Sequence, residues 1–414
     1  MEIVQTHGAG LDGHKKTGVA AILVPGPQPS GYQETRTFGT MTVDLLTLSD
    51  GLLAHGVTHV AMESPGEYWK PVCNLRESDF QVLLVKAAHI KAVPGRKTDV
   101  NDAEGLADLL QQGLLKASVV PPLGQRARRD LTRHRRSFVR ERARLVNRVQ
   151  QGLESANIKL ASVATDVLGG SGRAMLAALM AGQASPTEMA ELAKGRLRET
   201  REPLAKALEG RVQAHQRVVL TERLCQMDSL DETIARFDAP SEAYGVPCEE
   251  AVVWREMIPG VARQMAAIMV AERGTAMRRL PTADHLAAWA GVAPGNHESA
   301  GKRRSSQTRK GHRPLGVALK QAAHAAARTQ HPYVAAPYHR LAGRRGKKKA
   351  IVAVAHAMVV IAYPLMQRKE PSRALGGDSC DQQRPDATAK RLVKRLERLG
   401  DSVTLQQNPM PGVA

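Results

Sequence analysis

Gly95-Arg96-Lys97-Thr98-Asp99-Val100-Asn101-Asp102-Ala103-Glu104 sets two carboxylates, Asp99 and Asp102, three residues apart where a helix begins. From Asp99 to Leu114 the apolar residues Val100, Ala103, Leu106, Ala107, Leu110 and Leu114 recur with the roughly 3.6-residue period of an amphipathic helix. Asp99 and Asp102 therefore share one side of its first turn. One acid at a helix start is an ordinary cap, because orphan amides and the helix dipole favour negative charge there. Two on one face, preceded by Arg96 and Lys97, are less ordinary. Like charges so close repel unless a cation lies between them, and oxygen-only ligands suit Mg²⁺. The fold then depends on which upstream acids can be brought to the same place.

Residues 1 to about 124 alternate strand and helix signals. Thr17–Val24 is a strand, Pro25–Gly31 a Pro- and Gly-rich loop, and Gln33–Thr40 a partner strand. Val43–His55 reads as a helix closed by Gly56, Val57–Met62 as a short strand, Tyr68–Arg76 as a helix and Gln81–Lys86 as a further strand. Hairpin strands followed by strands alternating with helices imply a mixed sheet covered by helices, with active groups at strand ends. Two acids stand at such ends: Asp12 precedes the Thr17 strand, and Glu63 closes the strand at 57–62. Singly, each reads as a solvated loop residue. Taken with Asp99 and Asp102, they are the four carboxylates of a two-metal phosphoryl-transfer site.

The formal charge of +19 over 414 residues points to a polyanionic partner, nucleic acid first and an anionic membrane surface second. Aromatic residues are only 3%, so the cores must be built from Ala, Leu and Val. Cys73, Cys225, Cys248 and Cys380 have no zinc or disulfide spacing, and the N-terminus lacks a secretory signal. Reduced thiols in a cytosol fit best. Ala350–Met366 is apolar enough to consider as a membrane span, but His356, Pro364 and its alanines read as a buried helix, so no membrane is expected.

Gln125 to about Leu160 reads as one long helix. Leu131, Phe138 and Leu145 repeat every seven residues, and Val149 and Leu153 continue the stripe, which suggests a coiled-coil seam and self-association. Between Arg126 and Arg148 ten arginines face only Asp130 and Glu141. Arg128, Arg129, Arg133, Arg136 and Arg140 are the expected nucleic-acid contacts, because a guanidinium fork bonds two phosphate oxygens at once. Residues 165–245 continue as helices broken at Gly169-Gly170, Gly182, Pro186 and Gly210. Ile258-Pro259-Gly260-Val261 before an Ala-rich helix resembles a helix-hairpin-helix turn, whose glycine admits a phosphate to backbone amides. Ser299 lies in a polar segment between Gly295 and Gly301, beside Lys302, Arg303 and Arg304. Spacing alone makes it a turn serine; Ser305 and Ser306 lie close by. Arg344-Arg345-Gly346-Lys347-Lys348-Lys349 is a basic loop suited to phosphate, with Lys347 and Lys348 as contacts. Residues after about 370 read as disordered apart from a short amphipathic segment at Leu392, Val393, Leu396 and Leu399.

Asp12, the segment Met62-Glu63-Ser64-Pro65-Gly66-Glu67-Tyr68-Trp69 and Arg96–Ala103 resemble the DEDD catalytic domain of the IS-one-ten family of bacterial transposases. That domain is similar to the RuvC junction resolvase, a ribonuclease-H-like fold. Leu286–Asn296 and Glu298-Ser299-Ala300-Gly301-Lys302-Arg303 resemble the family's C-terminal transposase domain. The resemblance implies that Asp12, Glu63, Asp99 and Asp102 bind Mg²⁺, that Ser299 is the nucleophile, and that both meet in one composite site. It also implies donor and target DNA, a structured bridge RNA as guide, and a dimer that pairs into a tetramer on DNA. The expected fold is α/β plus α. A RuvC-like domain (1–124) precedes a helical coiled-coil region (125–245), a C-terminal transposase domain (246–369) and a tail (370–414). The expected function is a transposase or recombinase of an insertion sequence. The rivals are a RuvC-like metal-dependent nuclease without serine chemistry, and a non-enzymatic nucleic-acid scaffold.

Overall fold

Ala9, Leu11, Ala20 and Ile22 are buried on one side of a sheet, and Gly10, Ala21 and Leu23 are buried on the other. A strand that is apolar on both faces has layers packed above and below it. The computed structural model describes residues 4–26, 31–63, 66–76, 79–85, 102–245, 248–275, 280–295, 297–305, 307–329, 332–368, 393, 397 and 402–404. The chain divides into two compact units, Met1–Leu123 and Gly124–Ala414.

The first unit runs β1 (Gly8–Gly13), β2 (Thr17–Val24), β3 (Tyr32–Gly39), α1 (Thr42–Ala54), β4 (His59–Glu63), α2 (Trp69–Arg76), β5 (Gln81–Val85) and α3 (Asp102–Gln111). Its five strands lie in the order β3-β2-β1-β4-β5. The first three are antiparallel, and β1, β4 and β5 run parallel. On one face Leu11, Val60 and Met62 pack with Leu52 of α1 and Phe80, and Val72 of α2 lies against them. On the other, Ala103 and Ala107 of α3 meet Ala21 and Leu23, while Leu106 and Leu110 meet Ala61 and Val85. The mixed, helix-covered sheet is the one expected from the sequence. The first strand differs: the sequence reading begins the sheet at Thr17, and the structure adds Gly8–Gly13 ahead of it. Glycine is a poor strand former, but a Cβ on Gly10 would lie 2.0 Å from the carbonyl oxygen of Ala103, so only glycine lets α3 sit this close to β1.

Between α1 and the sheet lies an apolar cavity lined by Leu11, Leu45, Leu48, Leu52, Val60, Val72, Phe80 and Val82. The Ser49 hydroxyl is buried there without a hydrogen-bond partner among the described residues. An unmet hydroxyl opposes folding, and alanine is also the better helix former. Ser49→Ala is therefore expected to raise the stability of this unit by about 1 kcal/mol, read from the urea midpoint. A lower midpoint would show that the hydroxyl is satisfied.

The second unit opens with α4 (Leu123–Ser155), α5 (Leu160–Val163), α6 (Gly170–Ala181), α7 (Pro186–Glu191) and a 3₁₀ turn over Gly195–Thr200. It continues with α8 (Arg201–Leu208), α9 (Ala214–Ala243), α10 (Glu249–Glu256), α11 (Arg263–Arg273) and α12 (Ala283–Ala290). The hairpin β6 (His297–Ser299) and β7 (Lys302–Ser305) precedes α13 (Arg313–Ala326), α14 (Pro332–Arg345) and α15 (Lys347–Arg368). Gly182 ends α6 in the left-handed conformation, and a Ser185–Glu188 capping box with Pro186 starts α7, as the helix-breaking residues predict.

Helices α4 and α9 run antiparallel. Arg135 pairs with Asp238 at 2.7 Å, and the Phe138 and Phe237 rings lie 5.4 Å apart. Arg142 pairs with Asp231, and Arg223 donates to the carbonyl of Arg148 at 2.6 Å. Arg135, Phe138, Arg142, Leu145, Val149 and Gly152 advance by alternating steps of three and four residues, the repeat of a coiled-coil seam. Self-association was the expectation for this stripe, and within the chain part of it already has a partner. Over Phe138–Leu153 the chain's own helices cover the seam, with Leu220 of α9 in the same cluster as Val149 and Leu153.

A second core gathers α10 to α15, with Ala355, Met358 and Ala362 of α15 fully buried. Among the described residues Lys347–Gln367 is the helix long and apolar enough to cross a membrane, and half of it is buried against that core. Arg344–Lys349, read from sequence as a loop, is instead the end of α14 and the start of α15, hinged at Gly346 with φ 85°. Lysine and arginine are good helix formers, and one glycine suffices for the break. At the 258–261 turn, a Cβ on Gly260 would lie 2.6 Å from the backbone nitrogen of Ala326. This glycine serves close packing onto α13, which explains it without a phosphate.

Candidate active site

Parallel strands β1 and β4 are in register up to Leu11 and Met62, so Asp12 and Glu63 follow side by side at their C-terminal ends. Alternate residues of a strand share a face. Gly8 and Gly10 face α3, which puts Asp12 on that side, and Ala61 packs on Leu106, which puts Glu63 there too. Asp102 is the first residue of α3, exposed, on the same side of the sheet. Three of the four acids thus gather at one edge of one face. Asp99 lies outside the described residues, as do Arg96 and Lys97.

The β1–β2 turn adds a neighbour that sequence reading missed. His14 Nε2 lies 3.4 Å from Asp12 Oδ2. The turn is closed by the His14 amide donating to Thr17 at 2.9 Å and by the Thr40 hydroxyl donating to the Lys15 carbonyl at 3.0 Å. Nothing in the sequence singled it out, because His14 lies in the turn beyond the end of β1. The donors at this edge are carboxylate oxygens, the chemistry a hard cation such as Mg²⁺ requires. Among the described residues no three His, Cys, Asp or Glu side chains close around a single point. Asp12 and Glu63, with Asp102 on the same face, are the described residues that would hold the ion.

Ser299 ends β6, exposed, and pairs with Lys302 across a two-residue turn. Ala300 and Gly301 both have positive φ, 51° and 70°, as a tight hairpin turn demands. At the hairpin base, a Cβ on Gly295 would lie 2.2 Å from the Gln307 carbonyl, and one on Gly311 would lie 2.3 Å from the Gly291 amide. Glycine therefore lets the two arms touch, and the serine is carried out at their tip. Lys302 and Arg304 are exposed beside it; the Arg303 side chain and Ser306 lie outside the described residues. Ser305 is tied back instead, its hydroxyl accepting from the Gln307 amide at 3.1 Å.

Four of the five expected arginine contacts have bonds within the chain. Arg129 donates to the Ala271 carbonyl at 3.1 Å and to that of Glu272. Arg133 grips both Glu272 carboxylate oxygens at 2.9 and 2.7 Å. Arg136 donates to Pro314 and Gln321, both at 2.9 Å, and Arg128 to Gly124 at 3.3 Å. Of the five, Arg140 alone makes no such bond among the described residues and stays exposed. The sequence count weighed only acids within the helix, whereas Glu272, Asp231 and Asp238 come from far along the chain. Burial holds the Arg129 and Arg136 guanidiniums below their usual range, and the bond that Arg142 donates to Asp231 holds its guanidinium above it. Lys347 and Lys348 are exposed in the first turn of α15.

Comparison with known proteins fits these positions. Residues 9–158 match the DEDD family model for IS110, described as a transposase, and this span holds all four acids. Residues 256–339 match the model described as "Transposase IS116/IS110/IS902 family", and this span holds the Ser299 hairpin. A "Probable family 20 transposase" of Pseudomonas aeruginosa is 27% identical over 250 residues, 59% of this chain and 64% of the relative. The chain therefore spans just under two thirds of that relative's length. With both matches naming one family and together covering more than half of the sequence, the chain belongs to the IS110 family of transposases.

Proposed function

We propose that this protein is the transposase of a bacterial insertion sequence, which cuts and exchanges DNA strands with Ser299 as nucleophile under the guidance of a structured bridge RNA. The observation that carries the reading is the placing of Asp12 and Glu63 at adjacent parallel strand ends, on the face where α3 begins with Asp102. The strand order around β1 supports a ribonuclease-H-like, RuvC-like assignment for the first unit. We divide the second unit further into a helical region to about residue 245, a transposase domain to about 369 and a tail.

In this reading Asp12, Glu63, Asp99 and Asp102 hold Mg²⁺, which when bound stabilises charge on the attacking and leaving oxygens of the phosphodiester. Ser299 Oγ bonds to phosphorus as one deoxyribose P–O bond breaks, and the serine proton ends on the departing hydroxyl. Attack by another strand's hydroxyl reverses these changes and frees the serine, so strands exchange without net hydrolysis. Lys302 and Arg304 draw the phosphate to the hairpin tip.

Incubation with DNA carrying the element ends, followed by digestion, is expected to leave nucleotide linked to Ser299. Ser299→Ala and Asp102→Ala should each abolish strand exchange, and retention by both would overturn the proposal. Hydrolysed ends from Ser299→Ala would reduce the protein to a metal-dependent nuclease. Sequencing of co-purified nucleic acid should return one structured RNA complementary to donor and target; random fragments would remove the guide from the scheme.

A further inference from the structure

The ten arginines of helix α4 fall into three sets. Arg135 and Arg142 occupy the seam against Asp238 and Asp231. Arg128, Arg129, Arg133 and Arg136 bond elsewhere within the second unit, and Arg126 is buried. Arg140, Arg144 and Arg148 remain, all exposed and with no ion pair among the described residues. Arg140 and Arg144 occupy outer positions of the coiled-coil repeat and Arg148 flanks the seam, all three off the Phe138, Arg142, Leu145 and Val149 line that faces α9. The nearest acid on their own helix, Glu141, is turned to Ser137 at 3.3 Å. The acids of α9 that pair with α4, Asp231 and Asp238, are spent on the seam.

Like charges at four-residue spacing repel one another along a helix, and no ion pair among the described residues offsets that repulsion. Four residues rise about 6 Å, so the row extends about 12 Å. Along its axis a nucleic-acid strand presents a phosphate about every 3.4 Å, so roughly three fall within reach. We infer that Arg140, Arg144 and Arg148 form a ridge that grips the phosphodiester backbone of a nucleic acid by charge, without reading its bases. The inference rests on the nucleic-acid function proposed above and assigns it a surface different from the one the helix's composition suggests.

The test measures binding of the full chain to a duplex DNA of unrelated sequence and to an RNA hairpin over a salt series. R140Q/R144Q/R148Q should weaken binding at least tenfold at about 0.1 M salt and flatten the slope of log affinity against log salt by about 2 to 3. R140K/R144K/R148K should keep the slope, because charge and not shape is read. The control R236Q, on exposed α9, should bind as the parent does. Circular dichroism and melting establish that each variant is folded. Loss confined to one probe identifies the ridge's ligand as DNA or as RNA. An unchanged slope with both probes, or loss by the lysine variant, would overturn the inference. Ser299→Ala should bind with the parental slope, so failure of the ridge is distinguishable from failure of the strand-exchange mechanism.

Discussion

Glu272→Ala is expected to destabilise the second unit by about 3–5 kcal/mol. The side chain is 1% exposed at the end of α11. It accepts two bonds from Arg133, lies 3.7 Å from Arg129 and 3.6 Å from His312. An acid in the last turn of a helix opposes the helix dipole, so its position is explained by its partners and not by the helix. Removing it leaves the largely buried Arg129 without its carboxylate, and stranding a buried charge costs more than the intact pair contributed. Glu272→Gln keeps the shape and one acceptor and should cost less. The readout is urea unfolding followed by tryptophan fluorescence, to which Trp289 contributes with its ring stacked on His312 at 4.5 Å. A loss below about 1 kcal/mol would mean that solvent, not Glu272, satisfies these cations. The consequence extends past stability. His312 precedes α13, and its amide bonds the Trp289 carbonyl at 2.7 Å, so Glu272 ties α4 to both roots of the Ser299 hairpin.

Sequence alone reached most of the elements because their signals are local. Periodicity marked α1, α3, α4 and the strands β2 to β5, and Gly182 and Pro186 marked helix ends within a residue. What it missed was set by partners distant along the chain. Gly8 and Gly10 looked unlike a strand because the helix they accommodate begins some ninety residues later. The arginines of α4 looked unneutralised because Asp231, Asp238 and Glu272 lie on other helices. The heptad stripe was legible, but a stripe states only that something covers it; that α9 does so required the fold. Of the candidate site, Asp12, Glu63 and Asp102 were singled out by their places at strand ends and a helix start, which is local information. His14 beside Asp12 escaped notice because a histidine in a polar turn carries no signal of its own. Ser299 was recognised through its family motif, and its exposure at a hairpin tip belongs to the structure.

Gly10→Ala should damage both fold and chemistry through the same contact. The added methyl would lie 2.0 Å from the Ala103 carbonyl oxygen and 2.6 Å from the Ala107 amide nitrogen. These are main-chain atoms inside α3, so no side-chain rotation relieves the clash, and the helix must move off β1 as a body. Overpacking of this kind costs about 1–3 kcal/mol, and a backbone obstacle belongs at the upper end. Asp102, the first residue of α3, moves with it, whereas Asp12, two residues beyond Gly10, stays on the strand. A shift of about 1 Å between groups that must act together can lower a rate about a hundredfold, so strand exchange should fall far more than the folded fraction does. Gly13→Ala is the matched control, because a Cβ there meets nothing within 4 Å and the change should be nearly silent. Urea unfolding and strand-exchange rates, measured side by side on the two variants, separate the outcomes. If Gly10→Ala loses stability but keeps its rate, then Asp102 is not positioned by this packing.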